Sequence, residues 1–361
     1  MSIIIFIIIL SVLVFVHELG HFLFAKWSGT KVHSFAIGFE PTLWKKKVGD
    51  TTYKINAIPF GGYVRIHGQD REEELPGKPG EAMYEKPLIA QLGILFGGIF
   101  FNLVFAWLLL SATLMLGSPQ IVAPADLADY PDATWNLLAV SPGSPASEAG
   151  LAAGEELQSL RVGAESYDYL DTAGLATLVN QYSSDVFTFS VLRGEEVVDV
   201  EVTPAIFAGA DAPRLGLASE AIASVSYPFG EALGQGIRDT QSLTQQTAQA
   251  FGQLIRDAVG GNAKIANLAG PVGLVGMTGD AASFGLSYLL FFTALISINL
   301  AILNLIPFPA LDGGRILFVL IEAVIRRPIP PKIARWINAV GFGILILLMI
   351  AVTVSDVIKL F

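Results

Sequence analysis

His17-Glu18-Leu19-Gly20-His21 stands inside a stretch that is otherwise almost wholly apolar: Ser2 to Val16 leads into it and Phe22 to Ala25 leads out. Ionisable side chains at membrane depth are costly, and where they occur they point to function. On a helix, His17 and His21 are four residues apart and share a face, with Glu18 beside it. The pattern is His-Glu-x-x-His, in which two imidazoles hold zinc and the glutamate serves as general base towards a water. The stretch therefore predicts a zinc hydrolase site built into a transmembrane helix.

Working outward, the whole chain has the composition of a membrane protein. Its 361 residues are 53% hydrophobic and 15% charged, with a mean hydropathy of +0.58, too apolar for an ordinary soluble enzyme. It has no cysteine, hence no disulfide framework and no thiolate metal site. The formal net charge of −10 argues against nucleic acid as a partner. The first apolar segment is long for a signal peptide and has no small-residue cleavage site before the histidines, so it reads as a retained span.

Hydropathy predicts four spans in a polytopic α-helical membrane protein. Residues 1–27 form the first, carrying the metal motif and closed by Lys26 and Trp27; 88–117 form the second, where Gly93, Gly97 and Gly98 permit close helix approach. Residues 284–306 form the third, ending against Pro307 and Pro309, and 333–355 the fourth, entered by Arg335 and Trp336. The 28–87 loop is rich in lysine and arginine (Lys45, Lys46, Lys47, Lys54, Arg65, Arg71) and so is 307–332 (Arg315, Arg326, Arg327, Lys332). The middle of the chain has few basic residues, among them Lys264. The positive-inside rule puts both basic loops in the cytoplasm and the middle region and both termini outside.

Residues 118–220 read as an inserted β-rich domain. Asn136–Val140 and Asp185–Leu192 are strand candidates, and Arg193-Gly194-Glu195 turns into Val197–Thr203. The pattern Val140-x-Pro142-Gly-Ser-Pro-Ala146, Ala149-Gly-Leu151 and Gly154-Glu155 resembles a bacterial PDZ domain, with Glu155 where that family usually has Asp. The resemblance implies capture of extended peptides, including peptide C-termini, by strand addition; the plainer alternative is a small β domain that only fills space. Residues 221–283 are expected to be a helical linker, amphipathic from about Tyr227 to Gly260, packing its apolar side on the β domain.

Two histidines do not complete a catalytic zinc site, which usually has three protein ligands. His33 and His67 sit in the first loop, where such residues are most often plain polar groups. Asp312 is better placed. It follows Asn304-Leu-Ile-Pro307-Phe-Pro309-Ala-Leu311 and precedes Gly313-Gly314-Arg315, where two prolines and two glycines break the third span. Irregular backbone at membrane depth is tolerated when buried in protein or lining a polar cavity, so Asp312 is the expected third ligand.

Together, His17-Glu-Leu-Gly-His21, Asn304-x-x-Pro307 and Leu311-Asp312-Gly313 resemble the site-2 protease family of intramembrane zinc metalloproteases, and within it the bacterial branch that includes the regulator of sigma-E protease. Ile58-Pro-Phe-Gly-Gly-Tyr-Val64, Gly98-x-x-x-Asn102, Gly270-Pro-Val-Gly273 and Arg326-Arg327-Pro328 agree with it along nearly the whole chain. The resemblance implies Zn2+ held by His17, His21 and Asp312, Glu18 as base, and Asn304, Asn102, Gly98 and Pro307 positioning substrate around the site. It also implies a small cytoplasmic β hairpin whose edge near Gly61-Gly62-Tyr63 presents itself to substrate. The location it implies is a bacterial inner membrane, with the active site towards the cytoplasm. The implied partners are the lipid bilayer and single-span membrane proteins such as anti-sigma factors or remnant signal peptides. Some relatives carry two tandem PDZ domains; this chain has room for one clear copy.

Other readings rank lower. A metal or proton transporter would also place His, Glu and Asp in the membrane, but no inverted repeat relates the halves. A catalytically silent PDZ scaffold would not be expected to keep His17, Glu18, His21 and Asp312 together. A conventional zinc protease anchored by its first helix would carry the motif outside the span.

Overall fold

The computed structural model describes residues 1–69, 77–141, 143–194, 196–207, 212–261, 270–283 and 285–358. Arg71, Pro142, Glu195, Lys264 and Phe284 of the sequence motifs lie outside the described residues. The chain divides into two compact units, one made of residues 1–116 and 228–361 and the other of residues 117–227.

The first unit begins with α1 (Ser2–Trp27), which is apolar all round as a membrane span must be. A sheet follows, made of β1 (Val32–Val48) and β2 (Thr51–Ile66). Its register folds it into more than a simple hairpin. Thr42–Val48 pairs with Thr51–Asn56, while Ser34–Ile37 faces Thr52–Ile55 on one flank and Gly62–Arg65 on the other. Gly61, at φ +107°, makes the turn that brings Gly62–Ile66 back as an edge strand. The Ser11 hydroxyl donates to the Pro59 carbonyl, so this turn lies against the middle of α1.

α2 (Leu88–Leu116) crosses α1 at a contact between glycines. A Cβ on Gly20 would lie 2.2 Å from the Gly97 carbonyl oxygen, so the two backbones touch there, as small-residue helix packing allows.

In the second unit, the six-strand path β3 (Ser118–Val122), β9 (Leu217–Val225), β4 (Thr134–Val140), β5 (Glu156–Val162), β7 (Phe187–Arg193), β8 (Glu196–Val202) forms one sheet, with β6 (Glu165–Tyr167) on β5. Two short helices accompany it, α3 (Pro145–Glu148) and α4 (Thr172–Gln181). Inward-facing Leu137, Leu157, Leu160, Phe187, Phe189 and Val191 build its core with Leu175 and Leu178 of α4. The unit runs to Tyr227, not to the expected 220, because β9 pairs with both β3 and β4. Its alanines and serines gave that strand no apolar alternation to read.

The first unit resumes with α5 (Phe229–Val259). Within this unit it packs on the membrane helices. Leu233 accepts a bond from the Trp107 indole at 3.0 Å, and Leu243 and Phe251 join Ala106, Leu110 and Ile298 in one cluster. α6 (Pro271–Ser283) is a separate helix inside the expected linker, its Gly273 N–H capped by Asp356 at 2.8 Å. α7 (Leu286–Leu305), α8 (Asp312–Ile325) and α9 (Pro331–Ile358) complete the unit. α8 corrects the expected loop over 307–332: the run Ile316 to Ile325 is helical, and Arg326 at φ +54° ends it. α1, α2, α7 and α9 are long and apolar enough to cross a membrane.

Candidate metal centre

The α1–α2 crossing sets the site. With Gly20 against Gly97, the imidazoles of His17 and His21 fall over Gly98, where a Cβ would sit 2.5 Å from His21 Nε2 and 2.7 Å from His17 Cε1. A side chain at 98 would occupy the space the rings use. α7 then ends at Leu305, and the Pro307–Leu311 bend brings the first residue of α8, Asp312, to the same point. Asp312 Oδ2 lies 2.9 Å from His17 Nε2 and 3.2 Å from His21 Nε2, and the two Nε2 atoms are 3.1 Å apart. These three residues are the metal-capable cluster among the described residues.

The donor set fits a zinc ion. Tetrahedral ligands at about 2.0–2.1 Å from zinc stand ~3.3–3.4 Å from one another, close to the spacing of these three atoms. With neutral imidazoles the site carries the charges of Glu18 and Asp312, which a divalent cation balances; buried charge needs such pairing. Ring orientation also fits. His21 Nδ1 lies 2.8 Å from the Ile94 carbonyl oxygen, which can only accept, so Nδ1 carries the proton and Nε2 presents its lone pair. His17 Nδ1 faces the fully buried Asn102 amide at 3.1 Å. The atom placed at that distance is Asn102 Nδ2, with Oδ1 buried and without a partner among the described residues. For His17 Nε2 to bind metal, Nδ1–H must donate, which calls for the amide flipped about its last bond so that Oδ1 accepts. Asn102 is fixed in turn by the Ser297 hydroxyl, which donates to its backbone carbonyl at 2.8 Å.

Glu18 does not join the three ligand atoms. Its Oε2 accepts the backbone N–H of Val64 at 2.8 Å. The edge strand Gly62–Ile66 thus has its open side towards the glutamate. Gly62 sits tightly in the sheet, where a Cβ would be 2.7 Å from the Ala36 carbonyl oxygen. Asn304, half-buried in the last turn of α7, makes no side-chain hydrogen bond among the described residues. Pro307 lies in the bend, just past the end of α7. Ile94, Ser297 and the bond of Val64 to Glu18 went unread in the sequence: Val64 and Ile94 contribute backbone atoms, which almost any residue type supplies, and Ser297 is one serine among many.

A metal-capable cluster with two members on the apolar helix α1 and the third at the start of α8 is decisive when set beside known sequences. The profile of peptidase family M50 matches residues 5–348. The chain belongs to that family. Similar proteins, each named "putative zinc metalloprotease", occur in Clostridium perfringens (33% identical, covering 96% of each chain) and Nostoc sp. (31% identical, covering 100% of this chain and 97% of the relative). Another, in Helicobacter pylori, is 32% identical over 95% of this chain and 96% of the relative. This M50 peptidase is a zinc metalloprotease with zinc as its cofactor, and its four long apolar helices make it a membrane protein.

Proposed function

We propose that this M50 metalloprotease hydrolyses peptide bonds within transmembrane segments of single-span membrane proteins, as in regulated intramembrane proteolysis. The observation that carries the reading is the position of His17, Glu18 and His21 in the second half of a candidate membrane span, with Asp312 brought to them by the break after another. When bound, zinc supplies Lewis acidity, polarising a carbonyl and lowering the pKa of water. His17, His21 and Asp312 hold it. Glu18 takes the proton from the attacking water and delivers it to the leaving amine.

A transmembrane helix hides its carbonyls in its own hydrogen bonds, so substrate must be extended before hydrolysis. The Gly62–Ile66 edge lies beside Glu18, so a substrate segment added along it as a strand would lie next to the carboxylate. Asn304 and Pro307 border the bend and help place the substrate there.

The sequence motifs favour the bacterial branch that includes the regulator of sigma-E protease. On that reading the β domain is PDZ-like, takes peptide C-termini and lies outside a bacterial inner membrane with both termini. Substrates are of the anti-sigma-factor or remnant-signal-peptide class. The test is cleavage of a single-span substrate by purified protein in detergent. Wild type is expected to cut within the span, and Glu18→Gln and chelated wild type are not. Equal cleavage by Glu18→Gln and wild type overturns the mechanism.

A further inference from the structure

We propose that Asn338 and Gly341 of α9 are positioning residues for Asp312: they hold the Pro309–Ala310 bend, and with it the metal ligand two residues on, where it meets His17 and His21. The inference rests on the zinc-site reading and adds α9 to the helices that build the site.

The bend is unusual in its backbone. Ala310 has φ +73° without being glycine, a conformation that persists only where the surroundings impose it. Asn338 Oδ1 accepts the Ala310 N–H at 3.2 Å. One turn further along the same face of α9, Gly341 lets Pro309 sit directly on the helix: a Cβ there would lie 2.5 Å from Pro309 Cβ and 2.8 Å from its carbonyl oxygen. On the other side the first turn of α8 presses equally close. A Cβ on Gly313 would be 2.2 Å from the Ile306 carbonyl oxygen, and one on Gly314 2.2 Å from that of Phe308. The bend is gripped between α8, which begins with the ligand, and α9.

The rest of α9 makes this contact more telling. Gly341, Val352 and Asp356 are its buried residues, and the last two seat the far end of the helix on Gly270 at the start of α6. At the end near the metal centre, its buried residue is the one beneath Pro309. Asn338 is a polar residue on an apolar span, and its carbonyl oxygen serves the one residue whose left-handed backbone turns the chain into Asp312. A covalent path of two residues then joins a hydrogen bond on α9 to the position of Oδ2.

The experiment compares Asn338→Leu, which removes the acceptor at similar size, with Asn338→Asp, which keeps it, in full-length protein in detergent. Zinc affinity by competition with a chromophoric chelator, and the visible spectrum of the cobalt-loaded protein, report the ligand set without reference to activity. Asn338→Leu is expected to weaken zinc binding about 10- to 100-fold, the usual effect of losing a group that orients a metal ligand, and to change the cobalt spectrum. Asn338→Asp is expected to stay close to wild type. Adding Ala310→Gly to Asn338→Leu should recover affinity, because glycine takes positive φ unaided; it also supplies a test should the single variant fold poorly. Wild-type affinity in Asn338→Leu, or equal loss in the Leu and Asp variants, overturns the inference. A wild type that binds no zinc instead overturns the metal-site reading beneath it.

Discussion

The backbone N–H of Val64 and the carboxylate of Glu18 are hydrogen-bonded at 2.8 Å, which ties the edge of the β sheet to the motif in α1. The bond holds the carboxylate ready beside the metal ligands, and a glutamine oxygen can accept it equally well. Glu18→Gln is therefore expected to fold and to bind zinc as wild type does while losing its ability to take a proton. Proton transfer by a placed side chain is worth roughly 10²–10⁴-fold in rate. Metal content by mass spectrometry and cleavage of a single-span substrate, measured on the same preparation, check both halves; parallel loss of zinc and activity would assign Glu18 to the ligand set instead.

Gly98 is expected to tolerate no side chain. A Cβ would lie 2.5 Å from His21 Nε2, far inside van der Waals contact. Gly98→Ala must push the two rings or spread α1 from α2, and overpacking of this kind costs about 1–3 kcal/mol. The strain falls on ligand atoms, so zinc affinity is expected to drop more than thermal stability. Gly93→Ala is the control, since a Cβ there meets only Phe24 at ordinary contact distance. Similar zinc affinity in the two variants would contradict the geometry.

Asn102 separates two roles. The sequence resemblance assigns it to substrate, whereas its amide stands behind His17, 3.1 Å from Nδ1 and away from the ligand atom. If it orients the ring, Asn102→Ala weakens zinc binding about 10- to 100-fold and leaves the KM of zinc-saturated protein unchanged. If it positions substrate, KM rises and zinc affinity holds. Zinc titration and steady-state kinetics on one variant decide between them.

What could be read from the sequence follows from the physics of each element. That His17, His21 and Asp312 come together was legible because ionisable groups in apolar spans are rare and their chemistry depends on side-chain type. α2 was legible in full because nothing interrupts Leu88–Leu116. α8 was not: two prolines before it and two glycines in its first turn read as a loop, yet those glycines are what allow that turn to lie on the bend. β9 was hidden because Leu217–Val225 pairs through its backbone while its side chains are mostly small. α5 was seen as amphipathic, but amphipathicity names a buried face without naming what covers it, and here the cover is α2 and α7. Glu18's partner was invisible for a different reason, since Val64 contributes an amide that every residue but proline has.

Zinc removal should destabilise one unit and spare the other. A ligand that binds only the folded state stabilises it by about 2.7 kcal/mol at a free concentration one hundred times Kd. The three candidate metal ligands all lie in the unit of residues 1–116 and 228–361, while the β domain has its own core around Phe187 and Phe189. Two buried or half-buried tryptophans can report the units separately: Trp107 bonds to Leu233 of α5, and Trp135 packs edge-on to Tyr169 within the β domain. In variants retaining only one of them, a chelator is expected to lower the melting temperature read at Trp107 by several degrees and leave that at Trp135 unchanged. An equal shift at both would mean that the β domain senses the metal centre, and a shift at neither would mean that folding of the helical unit does not draw on zinc.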